Sequence, residues 1–356
     1  MQPSRTQTEP VVERRRFNDP WKFLPIAFVC GTILILYVIY VAYHCIPLLQ
    51  LDVSAQRRDD DMRWRGVWQL IVFHYFTVLL LICYVRSILT HPGEVPDDDP
   101  HWKFPQDGMA PPVDVGTLNL QETKRTGDRR WCKWCGKYKP DRCHHCRLCR
   151  VCILKMDHHC PWIYNCVGFF NYKYFFLLLV YSGLNCHLIM WSMAESVKRA
   201  IDQDVPFGEM FSLFFGETLA FFMGTLVTLF LGFHIWLASK AMTTIEFCEK
   251  STKMPSAKKG HFDTSVYDLG VMGNIKAVLG PNMLLWFFPV SPPLGDGMNF
   301  VTDDTRLTKD LEAGKGIRRK THQRAQRTQK SIRQGGYGDD WSSSVHSTPE
   351  AGHRAT

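Results

Sequence analysis

The sequence has no Asn-X-Ser/Thr sequon, no internal repeat beyond its closely spaced cysteines, and little charge in four long stretches. The missing sequon leaves no acceptor for N-linked glycosylation. The missing repeat excludes a solenoid or propeller. The uncharged stretches exclude the two or three soluble domains that 356 residues would otherwise allow. Apolar residues come instead in blocks, from Phe23 to Leu49, Val67 to Leu89, Tyr174 to Trp191 and Phe211 to Ala238. A hydrocarbon core ~30 Å thick takes ~20 helical residues, and backbone groups in lipid must be satisfied within the segment. Each block therefore reads as a transmembrane helix. The first is too long for the apolar part of a signal peptide, so it is expected to be retained.

Charge places the ends of these helices. Arg14, Arg15 and Arg16, the cysteine-rich segment, and Arg318, Arg319 and Lys320 fall on one side of a four-span topology, against Arg57, Arg58, Arg63 and Arg65 on the other. The more basic side is expected to be cytosolic, where thiols stay reduced. The net charge of +8 then reads as a face attracted to anionic lipid, with no nucleic-acid partner. The expected fold class is an all-α integral membrane protein with four transmembrane helices and a cytosolic cysteine-rich two-zinc domain between helices 2 and 3.

In order, the expected segments are a disordered N-terminus (1–20), helix 1 (21–49), a lumenal loop (50–66), helix 2 (67–89), a Pro- and Asp-rich cytosolic linker (90–130), the cysteine-rich domain (131–171), helix 3 (172–193), a second lumenal loop (194–208), helix 4 (209–238), a cytosolic C-terminal region (239–300) and a disordered tail (301–356). The tail is rich in Arg, Lys, Gln, Ser and Gly and has too few apolar residues to fold alone.

The segment WCKWCGKYKPDRCHHCRLCRVCILKMDHHCPWIYNC holds eight cysteines and four histidines. Its C-x2-C pairs, Cys132/Cys135, Cys146/Cys149 and Cys149/Cys152, suit metal chelation better than a disulfide framework. Structural zinc takes four ligands, so two ions use eight of the twelve candidates and leave four. Spacing alone does not choose the partition. Asp157-His158-His159-Cys160 offers a thiol, imidazoles and a carboxylate together, the inventory of an activated nucleophile. The alternative makes all of these residues zinc ligands in a binding finger, which over-supplies two sites.

The order C-x2-C, K-P-x-R, H-H-C-x2-C-x2-C, D-H-H-C-P-W, N-C-V-G and then Asn171 resembles the cysteine-rich domain of DHHC protein S-acyltransferases, unbroken from Cys132 to Asn171. The resemblance implies two structural zinc ions, one on Cys132, Cys135, His145 and Cys152 and the other on Cys146, Cys149, His159 and Cys166. It implies that Cys160 attacks the thioester of palmitoyl-CoA, that His158 takes the thiol proton, and that Asp157 orients the imidazole. Lys139, Arg142 and His144 would face the CoA phosphates, for which a solvated basic loop is the plainer reading, and Trp162 would lie at the membrane interface beside the thioester. Cys143 carries no assigned chemistry.

Thr243-Thr244-Ile245-Glu246 resembles the family's TTxE motif, with Thr244 expected near Asp157, and the stretch from Tyr267 to Gly280 resembles its C-terminal motif, with Asn274 in support. Two departures are His91 before Pro92-Gly93, where Asp is usual, and Leu279 in place of an aromatic. The resemblance implies a cavity for the fatty chain among the four helices, which Asn185 is a candidate to line, and Glu217 is either functional or near the lumenal interface. Gly183, Gly216, Gly224 and Gly232 suit close helix approach. Cys248 is a candidate for acylation.

The expected activity is transfer of palmitate from palmitoyl-CoA, through an acyl-Cys160 thioester, to cysteines of membrane-proximal proteins. The family's usual homes are the Golgi, endoplasmic reticulum and plasma membrane. A membrane adaptor built on the zinc domain would need the same ligands without Cys160, and a transporter would rest on Glu217 alone.

Overall fold

The computed structural model describes residues 20–105, 120–124, 128–253, 265–291, 293 and 295–300. Four helices are long and apolar enough to cross a membrane: α1 (Leu24–Leu49), α2 (Asp60–Leu89), α3 (Tyr172–Asp202) and α4 (Phe207–Ser239). The expected disordered tail and nearly all of the expected disordered N-terminus lie outside the described residues. Among the described residues there are also two shorter helices, α5 (Thr244–Lys253) and α6 (Val271–Leu279).

The helices run further than their apolar blocks. Asp59 caps α2, its carboxylate accepting from the N–H groups of Asp61 at 3.0 Å and Met62 at 3.1 Å. Two of the helix's orphan donors are thus satisfied well before Val67, and the expected 50–66 loop is partly helical. Likewise α3 continues to Asp202, so the expected 194–208 loop shrinks to the turn before Phe207.

Helix α3 packs along both α2 and α4. A core of Leu36, Ile39, Tyr40, Phe73, Ile189, Met193 and Leu213 joins all four long helices. Helix α1 contains a π-helical stretch, Tyr40–Cys45, and its extra residue per turn coincides with a buried His44. His44 Nδ1 lies 2.7 Å from Ser196 Oγ and Nε2 3.0 Å from Gln69 Oε1, tying α1 to α3 and α2. Tyr40 Oη lies 2.7 Å from Ser192 Oγ on α3. Helices in lipid gain no hydrophobic drive from one another, so such polar links and close packing hold them.

Only two of the four flagged glycines serve close approach. A Cβ on Gly216 would lie 2.6 Å from Ile39 Cγ2, and one on Gly224 3.0 Å from Cys186 Cβ, whereas at Gly232 it would meet nothing within 4 Å.

The cysteine-rich segment is the exception to an all-helical fold. It forms three antiparallel hairpins, β1 (Trp131–Cys132) with β2 (Lys137–Tyr138), β3 (His144–Cys146) with β4 (Val151–Ile153), and β5 (His158–Cys160) with β6 (Asn165–Val167). The described part of the 90–130 linker is pinned to them. Glu94 bridges Ile153, Lys103 bridges Lys137, Trp102 is buried, and the Arg129 guanidinium sits 4.1 Å from the centre of the Tyr138 ring. At the start of this stretch His91 Nδ1 accepts the Gly93 N–H at 3.1 Å, closing the turn despite the absence of Asp.

Gly216→Ala is expected to cost about 1–3 kcal/mol through overpacking against Ile39. Gly232→Ala, with open space around it, should be neutral or slightly stabilising. Thermal unfolding of the two variants in detergent checks the contrast.

Candidate functional site

The hairpin registers decide which ligands meet. His145 stands opposite Cys152 in the second hairpin, and His159 opposite Cys166 in the third. Opposed residues on one face lie within ~5.5 Å, so each pair can share one ion. The remaining two ligands come from the turn of the preceding hairpin. Both turns bring an N–H back to the first cysteine's carbonyl, Gly136 to Cys132 at 2.9 Å and Arg150 to Cys146 at 2.7 Å. Both residues have left-handed backbone, at φ 60° and 58°.

The result is two groups that could hold a metal ion, Cys132, Cys135, His145 and Cys152, and Cys146, Cys149, His159 and Cys166. In the first, His145 Nδ1 lies 3.5, 3.3 and 3.9 Å from the three sulfurs. In the second, His159 Nδ1 lies 3.6, 3.5 and 3.5 Å from its three. These edges fit a tetrahedral ion with ligands at ~2.0–2.3 Å. All thirteen cysteines are free, and Cys149 and Cys166 stand 3.5 Å apart, too far for a disulfide. Cys143 lies outside both groups, wholly buried in the cluster with Val95, Trp102 and Tyr138.

A short repeat, missed in the sequence reading, now becomes visible. His144-His145-Cys146 through Cys152 and His158-His159-Cys160 through Cys166 form superposable hairpin registers offset by 14 residues. In the second copy Ile163 stands where the first has Cys149, and Ile163 is buried in an apolar cluster. Cys160 therefore occupies a knuckle position with no partner thiol. The cue in sequence was the shared His-His-Cys followed six residues later by Cys.

Cys160 is 5% exposed and packs with Tyr84, Val167, Tyr172 and Phe175, at the junction of the hairpins with α2 and α3. His158 Nδ1 donates to Asp157 Oδ2 at 2.7 Å, which leaves Nε2 as the nitrogen available to the thiol. Burial opposes a charge on His158, but the hydrogen bonds to Asp157 and Cys160 outweigh it and lift the imidazole to about 9. Asp157 has no exposed surface, and burial raises its carboxyl, yet the His158 bond, the neighbouring imidazoles and the Thr244 N–H together hold it below the ordinary range. Trp162 is half exposed, its ring 5.9 Å from Phe28 of α1 and its carbonyl accepting from Tyr84 Oη at 3.0 Å.

Helix α5 closes the site through a capping box. Thr243 N–H donates to Glu246 Oε2 at 3.0 Å, and Glu246 N–H to Thr243 Oγ1 at 3.2 Å. This frees Thr244, whose N–H and Oγ1 donate to Asp157 Oδ1 at 3.0 Å and Oδ2 at 2.8 Å. Asn274 Nδ2 donates to the Ser239 carbonyl at 2.9 Å and its Oδ1 accepts from Leu269 N at 2.8 Å, fastening α6 to the end of α4. Leu279 is buried at the end of α6.

The three expected phosphate-facing residues do not form one cationic patch. Arg142 is buried, its Nε and Nη2 on Glu246 at 2.6 and 3.0 Å, and Nη2 also on the Ala241 carbonyl at 2.9 Å. A guanidinium so engaged is committed to the fold. His144 is pushed down to about 4, by burial first and then by Arg130, so it is neutral near pH 7. Lys139 is the partly exposed cation of the three. The sequence reading could not separate them, because exposure is not written in a K-P-x-R-x-H pattern.

Sequence reasoning also passed over His234. It is fully buried on α4, its ring 6.0 Å from His158, and one of its nitrogens lies with Asp157 and His158 in a group of donors all within 4.8 Å of each other. A histidine 76 residues beyond His158, within an apolar helix, gave no local signal.

The sequence model of the family described as DHHC palmitoyltransferase matches residues 125–251. The chain is 32% identical over 302 residues to Palmitoyltransferase ZDHHC2 of Homo sapiens, covering 81% of this chain and 78% of that protein. It is 33% identical over 245 residues to Palmitoyltransferase ZDHHC15 of Rattus norvegicus, covering 65% and 71%. It is 33% identical over 266 residues to Probable protein S-acyltransferase 14 of Arabidopsis thaliana, covering 72% and 82%.

Glu246→Gln is expected to cost about 3–5 kcal/mol, because the Arg142 charge stays buried without its partner. Burial raises Glu246, but Arg142 outweighs it and holds the folded-state carboxyl below its ordinary value. The ion pair's contribution is thus fully present above the unfolded-state value and is lost as pH falls through the folded one. Unfolding midpoints of the native and Glu246→Gln proteins should converge as pH drops below ~4.3.

Proposed function

The chain belongs to the DHHC palmitoyltransferase family, and from that membership we propose that it is a membrane-bound protein S-palmitoyltransferase working through an acyl-Cys160 thioester. The observation that carries the reading is that Cys160 stands outside both cysteine–histidine groups, buried beside an imidazole fastened to Asp157. Two structural zinc ions, one in each group, would hold the hairpins. Each group supplies four ligands and so leaves no open position for chemistry.

Transfer proceeds in two displacements. His158 holds the proton that Cys160 gives up, and the thiolate attacks the carbonyl carbon of the palmitoyl-CoA thioester. The carbon–sulfur bond to CoA breaks, and the CoA sulfur leaves with the proton from His158. A substrate cysteine then gives its proton to His158 and attacks the acyl carbon, and Cys160 leaves as thiolate. Asp157 keeps the imidazole oriented and favours its cationic form in both halves.

The fatty chain would stay within the bundle throughout, since each methylene kept from water contributes about 0.8 kcal/mol. A groove of about 440 Å³ runs between α1 and α2 from Tyr84, beside Trp162, to Tyr37 and His74. It adjoins a cavity of about 60 Å³ lined by Ile33, Tyr37, Thr77 and Asn185. Thr77 Oγ1 and Asn185 Oδ1 have no partner there among the described residues. These polar atoms would mark the far end of the space open to the apolar chain. Lys139 would contribute to CoA phosphate binding. The hairpins and both termini would face the cytosol, where acyl-CoA and reduced thiols are available, and the protein substrates would present cysteines close to the bilayer.

Incubation of the detergent-purified protein with labelled palmitoyl-CoA is expected to give a hydroxylamine-labile label that Cys160→Ser abolishes. Equal labelling of both proteins, with two zinc ions per chain retained, would instead favour a binding role for the domain. Asp157→Asn should slow label formation by about 10²–10⁴-fold. Asn185→Trp, which fills the small cavity, should shift preference toward donors shorter than palmitate, and an unchanged preference would remove Asn185 from the acyl site.

A further inference from the structure

We propose that Asp157, His158 and His234 form a third metal site, one that takes a divalent transition-metal ion and thereby blocks acyl transfer at Cys160. His234 has no exposed surface, and its Nε2 has no hydrogen-bond partner among the described residues. Fully buried polar atoms without a partner are rare in folded proteins, and water or an ion commonly accounts for them. One nitrogen of each histidine and one carboxylate oxygen lie within 4.8 Å of one another. Two imidazoles and a carboxylate are a donor set for zinc, cobalt or iron in their divalent states.

The supporting contacts match those of a metal site. Tyr172 Oη lies 3.2 Å from His234 Nδ1, which fixes the ring and leaves Nε2 as the nitrogen directed at the ion. Thr244 steadies Asp157 through both oxygens. A carboxylate offers about four lone-pair positions, and the bonds from Thr244 and His158 occupy three, so Oδ1 retains one for an ion. Outer partners of this kind orient ligands and raise affinity. Access is through His158, whose side chain is 23% exposed while that of Asp157 is closed off. Phe175 and Phe230 flank both rings.

An ion seated here occupies the imidazole that would accept the Cys160 proton. The inhibitory consequence rests on the role proposed above for His158, whereas binding itself does not. The site differs from the two cysteine groups in having no thiolate ligand, so it should exchange its ion more readily than they do.

The test is equilibrium dialysis of the full-length, zinc-loaded protein in detergent against Co²⁺, with total metal measured by mass spectrometry and autoacylation measured on the same samples. The expected result is two retained zinc ions and one added cobalt, with autoacylation suppressed and restored on removing the cobalt. His234→Gln and His234→Asn should each weaken cobalt binding at least about tenfold and relieve inhibition by the same factor, with two retained zinc ions reporting that the hairpins are folded. No added cobalt, or binding and inhibition unchanged in both variants, would overturn the site and leave a water on His234 Nε2. Cobalt bound through His234 in a chain that never forms an acyl-enzyme would keep the metal site and remove the roles proposed for Cys160 and His158.

Discussion

A carboxylate with no exposed surface sets the terms for this molecule. Asp157 lies between the hairpins and the helices, and a charge there is tolerated only if its oxygens are occupied. One partner, His158, is its chain neighbour. The others come from Thr244, beyond the fourth long helix. The start of α5 must therefore dock on the hairpins before the charge is satisfied.

The docking has its own supports, and they explain residues that look unrelated in sequence. Thr243 and Glu246 cap α5 on each other, which orients Thr244 toward Asp157. Glu246 is held in turn by Arg142, at the end of the turn leading into β3. The Arg142 guanidinium also lies 4.6 Å from the centre of the Tyr267 ring. A pattern that reads as four ordinary residues is thus a helix cap, an ion-pair partner and a clamp on a buried carboxylate at once. Asn274 completes the arrangement from α6 by fastening it to the end of α4.

The hairpins solve a second problem, that of keeping Cys160 out of both ligand groups while six other cysteines enter them. Each ligand group pairs a C-x2-C turn with a cross-strand His and Cys from the next hairpin. The last hairpin has no successor, and Ile163 replaces the second cysteine of its turn. Cys160 is left without a chelating partner because the pattern ends there. Its burial against Tyr84 and Phe175 then sets it beside the apolar bundle.

The four helices, the metal-ligand inventory and the surplus thiol were legible in sequence, because apolar length and cysteine spacing are local quantities that one stretch of chain fixes alone. Helix ends were not, since Asp59 caps α2 ahead of its apolar block and α3 runs past its own block to Asp202. Nor were the fates of Lys139, Arg142 and His144, which share one motif but differ in burial and partners. The polar links of His44 and the nearness of His234 to Asp157 and His158 join residues distant in the chain, and no local pattern announces them. Sequence determined what chemistry the chain carries. Tertiary structure decided which residues share a site, because burial and long-range hydrogen bonding exist only once the hairpins and helices have packed.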